Sequence, residues 1–233
     1  MTPAWTDYDT HARTRPRSDF WGQVRRTVRG EPVAQAQIGM IVEAAAAHLA
    51  LEPGDRLLDL ACGNGALSCP LFGRCAGGVG VDISGYLIGV AREYFAGPAH
   101  EYVAMDAAAY AETAVPDGIT KALCYGSFSY LADGTAARML RALHRRFPAL
   151  NRILLGNLPD PARADAFYPA GADAFYPADA TADLREPRSS IGAWRPAAEV
   201  AALAGPGWRV ACHTMPPGFF AAHYRYDAVL VRR

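Results

Sequence analysis

One lysine, Lys121, stands among the 233 residues, no two cysteines form a C-x-x-C pair, and no apolar run is long enough to cross a bilayer. Each scarcity excludes something. The 23 basic side chains, nearly all arginine, are balanced by 23 acidic ones to a formal net charge of zero, so the basic surface that nucleic acid requires is missing. Clusters at Arg13–Arg17, Arg25–Arg29 and Arg141–Arg146 read as solvated helix faces and an arm. The five cysteines (Cys62, Cys69, Cys75, Cys124 and Cys212) are odd in number, which points to neither a zinc site nor a disulfide framework. They read as small buried residues in a reducing compartment. The Ala-rich stretch Ile41–Leu51 is interrupted by Glu43 and His48, far from the roughly 20 apolar residues of a membrane span. The N-terminal MTPAWTDYDTHARTRPR has no apolar signal core. A cytoplasmic chain with no metal, no membrane partner and no nucleic-acid partner is the expectation.

What is present is apolar and ordered. A hydrophobic fraction of 51% supports a substantial core, and the length fits one α/β domain with a small appendage. Residues 1–32 read as an N-terminal cap or arm, and 33–233 as the main domain. From Pro32 a helix is expected, with Ile38, Ile41, Val42, Ala45 and Leu49 at helical spacing. After the turn Pro53-Gly54-Asp55, short apolar runs alternate with helical stretches, the pattern of a parallel sheet. Strands are predicted at Arg56–Leu60, Gly78–Val81, Tyr102–Met105, Ala122–Tyr125 and Arg152–Gly156, with a late pair at Trp208–Thr214 and Tyr226–Val231. Helices are predicted at Ala66–Cys75, Gly85–Ala96 (capped by Ser84), Thr135–Phe147 and Ala197–Ala204. An insertion-like loop occupies about 159–196. In it Ala164-Asp-Ala-Phe-Tyr-Pro-Ala170 recurs as Ala172-Asp-Ala-Phe-Tyr-Pro-Ala178, either a local duplication or a substrate lid.

The most specific stretch is Leu57-Leu58-Asp59-Leu60-Ala61-Cys62-Gly63-Asn64-Gly65 at the end of the first strand. Gly63 and Gly65 permit a tight turn and close approach of a ligand to the main chain. Asp82, ending the second strand, is placed to accept the hydroxyl hydrogens of a ribose. A dinucleotide site shares these features, but here the third glycine of G-x-G-x-x-G is replaced by Ser68. Asp59 inside the motif would repel a pyrophosphate, and Asp106 follows the third strand. Three acids around one crevice suit a cationic ligand without phosphate.

With these motifs the chain resembles the class I S-adenosylmethionine-dependent methyltransferases. LLDLACGNG is similar to the family's glycine-rich first motif, with Ala61 where glycine is common. Val81-Asp-Ile-Ser84 resembles the second motif, Met105-Asp106-Ala107 the third, and Cys124-Tyr125-Gly126-Ser127 takes the position of the fourth. The resemblance covers roughly 33–160 and 197–233. It implies a Rossmann-like α/β fold: a seven-stranded, mostly parallel sheet with helices on both faces. It also implies S-adenosylmethionine as cofactor. Gly63 and Gly65 would face the methionine end, with Asp59 near its amino group. Asp82 would hold the ribose, Ile83 would pack on the adenine, and Asp106 with Ala107 would meet its amino edge. Tyr125 completes the cofactor set.

The acceptor is less legible. Methyl transfer to a neutral hydroxyl needs a base, and histidine is the usual one; His213 and His223, flanking the last hairpin, are the candidates. Tyr125-Gly-Ser-Phe-Ser-Tyr130 is not the Asn/Asp-Pro-Pro-Tyr of enzymes acting on exocyclic amines of DNA bases, and the magnesium-binding carboxylates of catechol methyltransferases are missing. Ser127 and Tyr130, with Trp21, Gln23 and Arg26 of the N-terminal phrase Asp19–Gly30, are the candidate substrate contacts. The reading is an O- or N-methyltransferase for a small polar metabolite, a sugar or natural-product intermediate. A non-catalytic cofactor-binding module and an NAD-type oxidoreductase are the alternatives.

Overall fold

A computed structural model describes residues 7–28, 30–115, 118–167, 184–187 and 191–233. Seven strands form the central sheet: β1 (Leu57–Leu60), β2 (Gly78–Asp82), β3 (His100–Ala104), β4 (Lys121–Tyr125), β5 (Arg152–Pro159), β6 (Trp208–Thr214) and β7 (Arg225–Arg232). Their spatial order is β3-β2-β1-β4-β5-β7-β6. The first five run parallel, and β7 and β6 enter antiparallel. β1 and β4 are buried along their whole length, as central strands of a sheet covered on both faces must be.

The two faces are covered by different helices. On one, Ala108 of α6 (Ala107–Thr113), Met139 and Leu143 of α7 (Asp133–Arg146) and Val200 of α9 (Ala197–Ala204) join the strand side chains in one core. On the other, Ile38 and Leu49 of α3 (Gln35–Leu49), Leu71 of α4 (Ser68–Phe72) and Ile88 of α5 (Gly85–Tyr94) pack in a second. Ser84 Oγ accepts from the Leu87 amide at 3.1 Å, capping α5 as the sequence predicts. Among the described residues no helix is long and apolar enough to cross a membrane.

Three elements differ from expectation. Pro32 does not open a helix: it pairs with Thr27 in a two-residue ribbon, Thr27–Val28 against Glu31–Pro32, and α3 begins at Gln35. The fold-back is held by the Val33 amide donating to the Arg26 carbonyl at 3.1 Å. The helix predicted over Ala66–Cys75 shortens to Ser68–Phe72. α6 was not predicted; seven residues of mostly alanine give the 3.6-residue period too little contrast to register. The late end of the insertion returns to the core, with Trp194 fully buried 5.9 Å from the Tyr224 ring. Of the direct repeat only Ala164–Phe167, helix α8, is described; the rest lies outside the described residues.

The arm is docked over the sheet. Its helices α1 (Tyr8–Arg13) and α2 (Phe20–Gln23) sit against α5. Asp9 Oδ1 accepts from Ser84 Oγ at 2.5 Å and from the Tyr86 amide at 3.2 Å, and Phe20 meets Phe95 edge-on at 4.9 Å. Gln23 is fully buried. Its Nε2 donates to the Pro16 and Arg17 carbonyls at 2.8 and 3.0 Å, and its Oε1 accepts from Asn64 Nδ2 at 2.9 Å. The arm is thereby tied to the turn after β1. That turn holds Ala61 at φ +58°, Gly63 at +59° and Gly65 at +78°, the left-handed region that costs a residue with a Cβ about 1–2 kcal/mol.

Two outcomes are expected. Gln23→Met removes three buried hydrogen bonds and should lower urea stability by about 1–3 kcal/mol, with faster tryptic cleavage at Arg13 and Arg17; unchanged digestion would mean the arm is held by its apolar contacts alone. Ala61→Gly should raise stability by about 0.5–1 kcal/mol, the relief of strain less the added freedom of the unfolded chain. A neutral or destabilising result would show that the strain is absorbed elsewhere.

Candidate active site

The strand order reverses between β1 and β4, so loops leaving their carboxyl ends part and leave a crevice. The arm roofs it, enclosing a cavity of about 750 Å³. At one end Asp59, Asp82 and Asp106 all line it. Asp59 is buried on β1, where Ser68 Oγ donates to its Oδ2 at 2.5 Å. Burial pushes its pKa up to about 7, against the opposing effects of the Ser68 hydrogen bond and the Arg26 charge. Asp82 accepts from the Gly63 amide through Oδ2 at 2.8 Å and from the Ser84 amide through Oδ1 at 2.9 Å. Burial raises its pKa as well. Each oxygen keeps a lone pair for a further donor. Asp106 caps α6 with Oδ1, taking the Ala109 amide at 2.9 Å, and leaves Oδ2 for another partner. Between them Ile83 is 76% exposed, an apolar face turned into the crevice.

The other end is aromatic and basic. Trp21 and Arg26 reach in from the arm, Tyr125, Ser127 and Tyr130 from the exit of β4, and all five line the cavity. The Arg26 guanidinium lies 5.2 Å from the Tyr125 ring centre and 5.9 Å from that of Trp21. Burial lowers its pKa, and its Nη1 is sealed from solvent with no hydrogen-bond partner. Tyr130 meets Tyr8 edge-on, ring centres 6.0 Å apart.

Not every sequence candidate arrives here. Gly63, Asp59, Asp82, Ile83, Asp106, Ala107 and Tyr125 share the cavity wall, but Gly65 does not. A Cβ on Gly65 would strike the Tyr102 ring at 2.7 Å, so this glycine serves packing behind the turn. A Cβ on Gly63 would meet Val24 of the arm at 2.8 Å, so the close approach there is to the arm. Gln23 is spent on the arm-to-turn bonds and is absent from the wall. His213 stands exposed on β6, its ring 4.7 Å from that of His48, and His223 is exposed against Tyr224. Neither lines the cavity, and neither does any other histidine. Among the described residues no cluster of three His, Cys, Asp or Glu side chains could hold a metal ion.

Residues that sequence reasoning missed are Asn64, Asn157, Phe220, Tyr224 and Arg225, all on the cavity wall. Asn64 lay inside the quoted motif. Of the other four, Asn157 lies in β5, Phe220 and Tyr224 in the loop between β6 and β7, and Arg225 at the start of β7, where no local pattern announces them. Asn157 sits at φ +63°, its amide donating to Asp227 Oδ1 at 2.8 Å, at the irregularity where β5 shifts register against β7.

Residues 57–147 match the family model described as a methyltransferase domain. No curated protein sequence matches the chain. Among solved structures it is similar to magnesium protoporphyrin IX methyltransferase from Synechocystis PCC 6803 with bound SAM, at 20% identity over 100% of both chains and a TM-score of 0.60. It is similar to the cyclopropane synthase MmaA2 from Mycobacterium tuberculosis, at 13% identity over 98% of this chain and 99% of that one, with a TM-score of 0.67. A TehB-like SAM-dependent methyltransferase from Corynebacterium glutamicum shares 16% identity over 93% and 98% of the two chains, with a TM-score of 0.58. Residues 57–147 thus match a methyltransferase domain, in a chain whose fold is that of the class I S-adenosylmethionine-dependent methyltransferases.

Proposed function

We propose that the chain transfers a methyl group from S-adenosylmethionine to an oxygen or nitrogen of a small polar metabolite, such as a sugar or a natural-product intermediate. The observation that carries this reading is the line of three carboxylates along one end of a cavity that continues into a separate aromatic end. Asp59 would meet the cofactor's amino group and Asp82 the ribose hydroxyls. Ile83 would lie on the adenine ring, and Asp106 would take the exocyclic amine through its remaining oxygen. Three acids disfavour a pyrophosphate, which counts against a nicotinamide dinucleotide. The aromatic end, with room beyond the carboxylates, counts against a module that binds cofactor alone.

Bound S-adenosylmethionine supplies a methyl group already activated on a sulfonium. The chain's own part is to hold, align and keep water out. Trp21, Tyr130 and the docked arm close the crevice over the reacting region. The acceptor end offers tyrosines and arginines, and burial drives the pKa values of Tyr125 and Tyr130 upward. Neither residue type takes up a proton at neutral pH. With no histidine on the wall, the geometry favours a nucleophile that arrives without a proton to shed, such as a free amine or an acidic hydroxyl already ionised.

Titration with S-adenosylhomocysteine tests the reading, NAD being run beside it; binding of NAD alone would overturn it. Asp82→Ala should weaken S-adenosylhomocysteine at least about tenfold, the worth of buried hydrogen bonds to a charged group; unchanged affinity would remove Asp82 from the site. The pH dependence follows from Asp59. Its raised pKa of about 7 means that it is ionised above that pH and protonated below. An ammonium partner requires the ionised form. Affinity should therefore be full near pH 8 and fall by up to about tenfold per unit below 7, with protons released on binding. Asp59→Asn should bind weakly and without this pH dependence. A flat profile in the parent protein would separate Asp59 from the cofactor.

A further inference from the structure

Two polar atoms on the cavity wall have no protein partner: Arg26 Nη1, a donor, and Asn157 Oδ1, an acceptor, both sealed from solvent. The two side chains flank one place. The point that a Cβ on Gly126 would occupy lies 3.9 Å from Arg26 Nη2 and 3.5 Å from Asn157 Nδ2. Gly126 itself is at φ +79°, in the turn after β4. Arg225 stands beside them, its Nη1 donating to the Asn157 carbonyl at 2.5 Å and its guanidinium 4.8 Å from the Tyr224 ring centre. Among the described residues no carboxylate forms an ion pair with Arg26 or Arg225, whereas Arg13, Arg56, Arg138 and Arg195 each pair with an acid. A buried guanidinium without an anion is costly. Two donors beside the turn at Gly126, Arg26 Nη2 and Asn157 Nδ2, call for a ligand that carries an anionic oxygen.

On the reading given above, we infer that the methyl acceptor is an aromatic carboxylate: its carboxylate docks on Arg26 and Arg225 over Gly126, and its ring lies among Trp21, Tyr130 and Tyr224. Asn157 Nδ2, beside Gly126, donates to the same carboxylate. Planar aromatic and guanidinium faces suit a flat ring and a bidentate anion. A monoanion is favoured over a phosphate dianion because Asp59 and Asp82 share the cavity and repel the second charge. The aromatic walls separate this class from sugars.

The test is calorimetric titration of the full chain saturated with S-adenosylhomocysteine, using 3-hydroxy-2-naphthoate, its carboxamide and 2-naphthyl phosphate as probes. The naphthoate should bind at least about tenfold more tightly than the amide, as expected for a charge-assisted hydrogen bond, and more tightly than the phosphate. In the Arg26→Gln/Arg225→Gln double variant that preference should vanish, while S-adenosylhomocysteine still binds, more weakly because the Arg26 charge no longer favours ionised Asp59. Equal binding of acid and amide, no heat from the naphthoate at millimolar concentration, or tighter binding of the phosphate would each overturn the assignment. A double variant that keeps the preference for the acid over the amide would also overturn it. The parent protein's preference among the three probes decides the matter even where the double variant does not fold. Failure of the parent to bind S-adenosylhomocysteine at all is a different result, and it would sink the methyltransferase reading itself.

Discussion

The hydrogen bond from the Gly63 amide to the Asp82 carboxylate, 2.8 Å long, is the contact on which the rest of the site depends. It joins the ends of two neighbouring parallel strands at the point where the chain must leave the sheet. A second tie, the Cys62 amide to the Val81 carbonyl at 3.0 Å, lies beside it. With β1 and β2 locked together there, the left-handed run from Ala61 to Gly65 has one path to α4. The carbonyls and amides of that path form the floor of the cavity. The same carboxylate takes the Ser84 amide with its other oxygen, so the start of α5 is fixed by the group that faces the ligand. A single acid thereby sets the shape of the floor and the charge above it.

The arm extends this logic by polar contacts. Asn64, in the middle of the turn, gives its Nδ2 to the Phe20 carbonyl and to Gln23 Oε1 at 2.8 and 2.9 Å. Val24 occupies the space that the missing Cβ of Gly63 leaves. At the far end Asp9 bridges to Ser84 and Tyr86. The roof is therefore registered to the floor at both ends, and the cavity between them inherits its height from side-chain lengths in the turn. Apolar contacts add to these ties, with Phe20 against Tyr94 and Phe95 and Trp21 packed on the core.

How far the sequence reveals this depends on the range of the interactions. The strands β1, β2 and β4 and the cap at Ser84 are legible because they are local: runs of buried residues, then a capping side chain. The three acids are legible because each lies near the carboxyl end of a strand: Asp59 within β1, Asp82 at the end of β2 and Asp106 two residues beyond β3. Gln23 reads as a pocket residue in sequence because its neighbours Trp21 and Arg26 are; only the structure shows its amide turned to Pro16, Arg17 and Asn64. His213 and His223 fail for a similar reason. They flank the last hairpin, but His213 stands on the edge strand β6, farthest from the switch between β1 and β4, and of the loop between β6 and β7 it is Phe220 and Tyr224, not His223, that reach the crevice. Asn157 and Arg225 were invisible because their roles arise from an irregular pairing between strands nearly 70 residues apart in sequence.

The chain's zero net charge conceals a division inside the cavity. Asp59, Asp82 and Asp106 hold one end, while Arg26 and Arg225 hold the other. The two ends are not independent. Arg26 pulls the Asp59 pKa down and Asp59 pulls the Arg26 pKa up, yet burial outweighs that help for both. Each charge is thus stabilised less by the other than water would stabilise it. A cation placed at the acidic end favours ionised Asp59, and an anion placed at the basic end favours charged Arg26. Each ligand also strengthens the field in which the other binds, since both charges are buried. Coupling of this kind requires no movement of the sheet. It follows from placing two buried, opposite and incompletely satisfied charges in a single enclosed space, and it makes productive occupancy of both ends more stable than occupancy of either one.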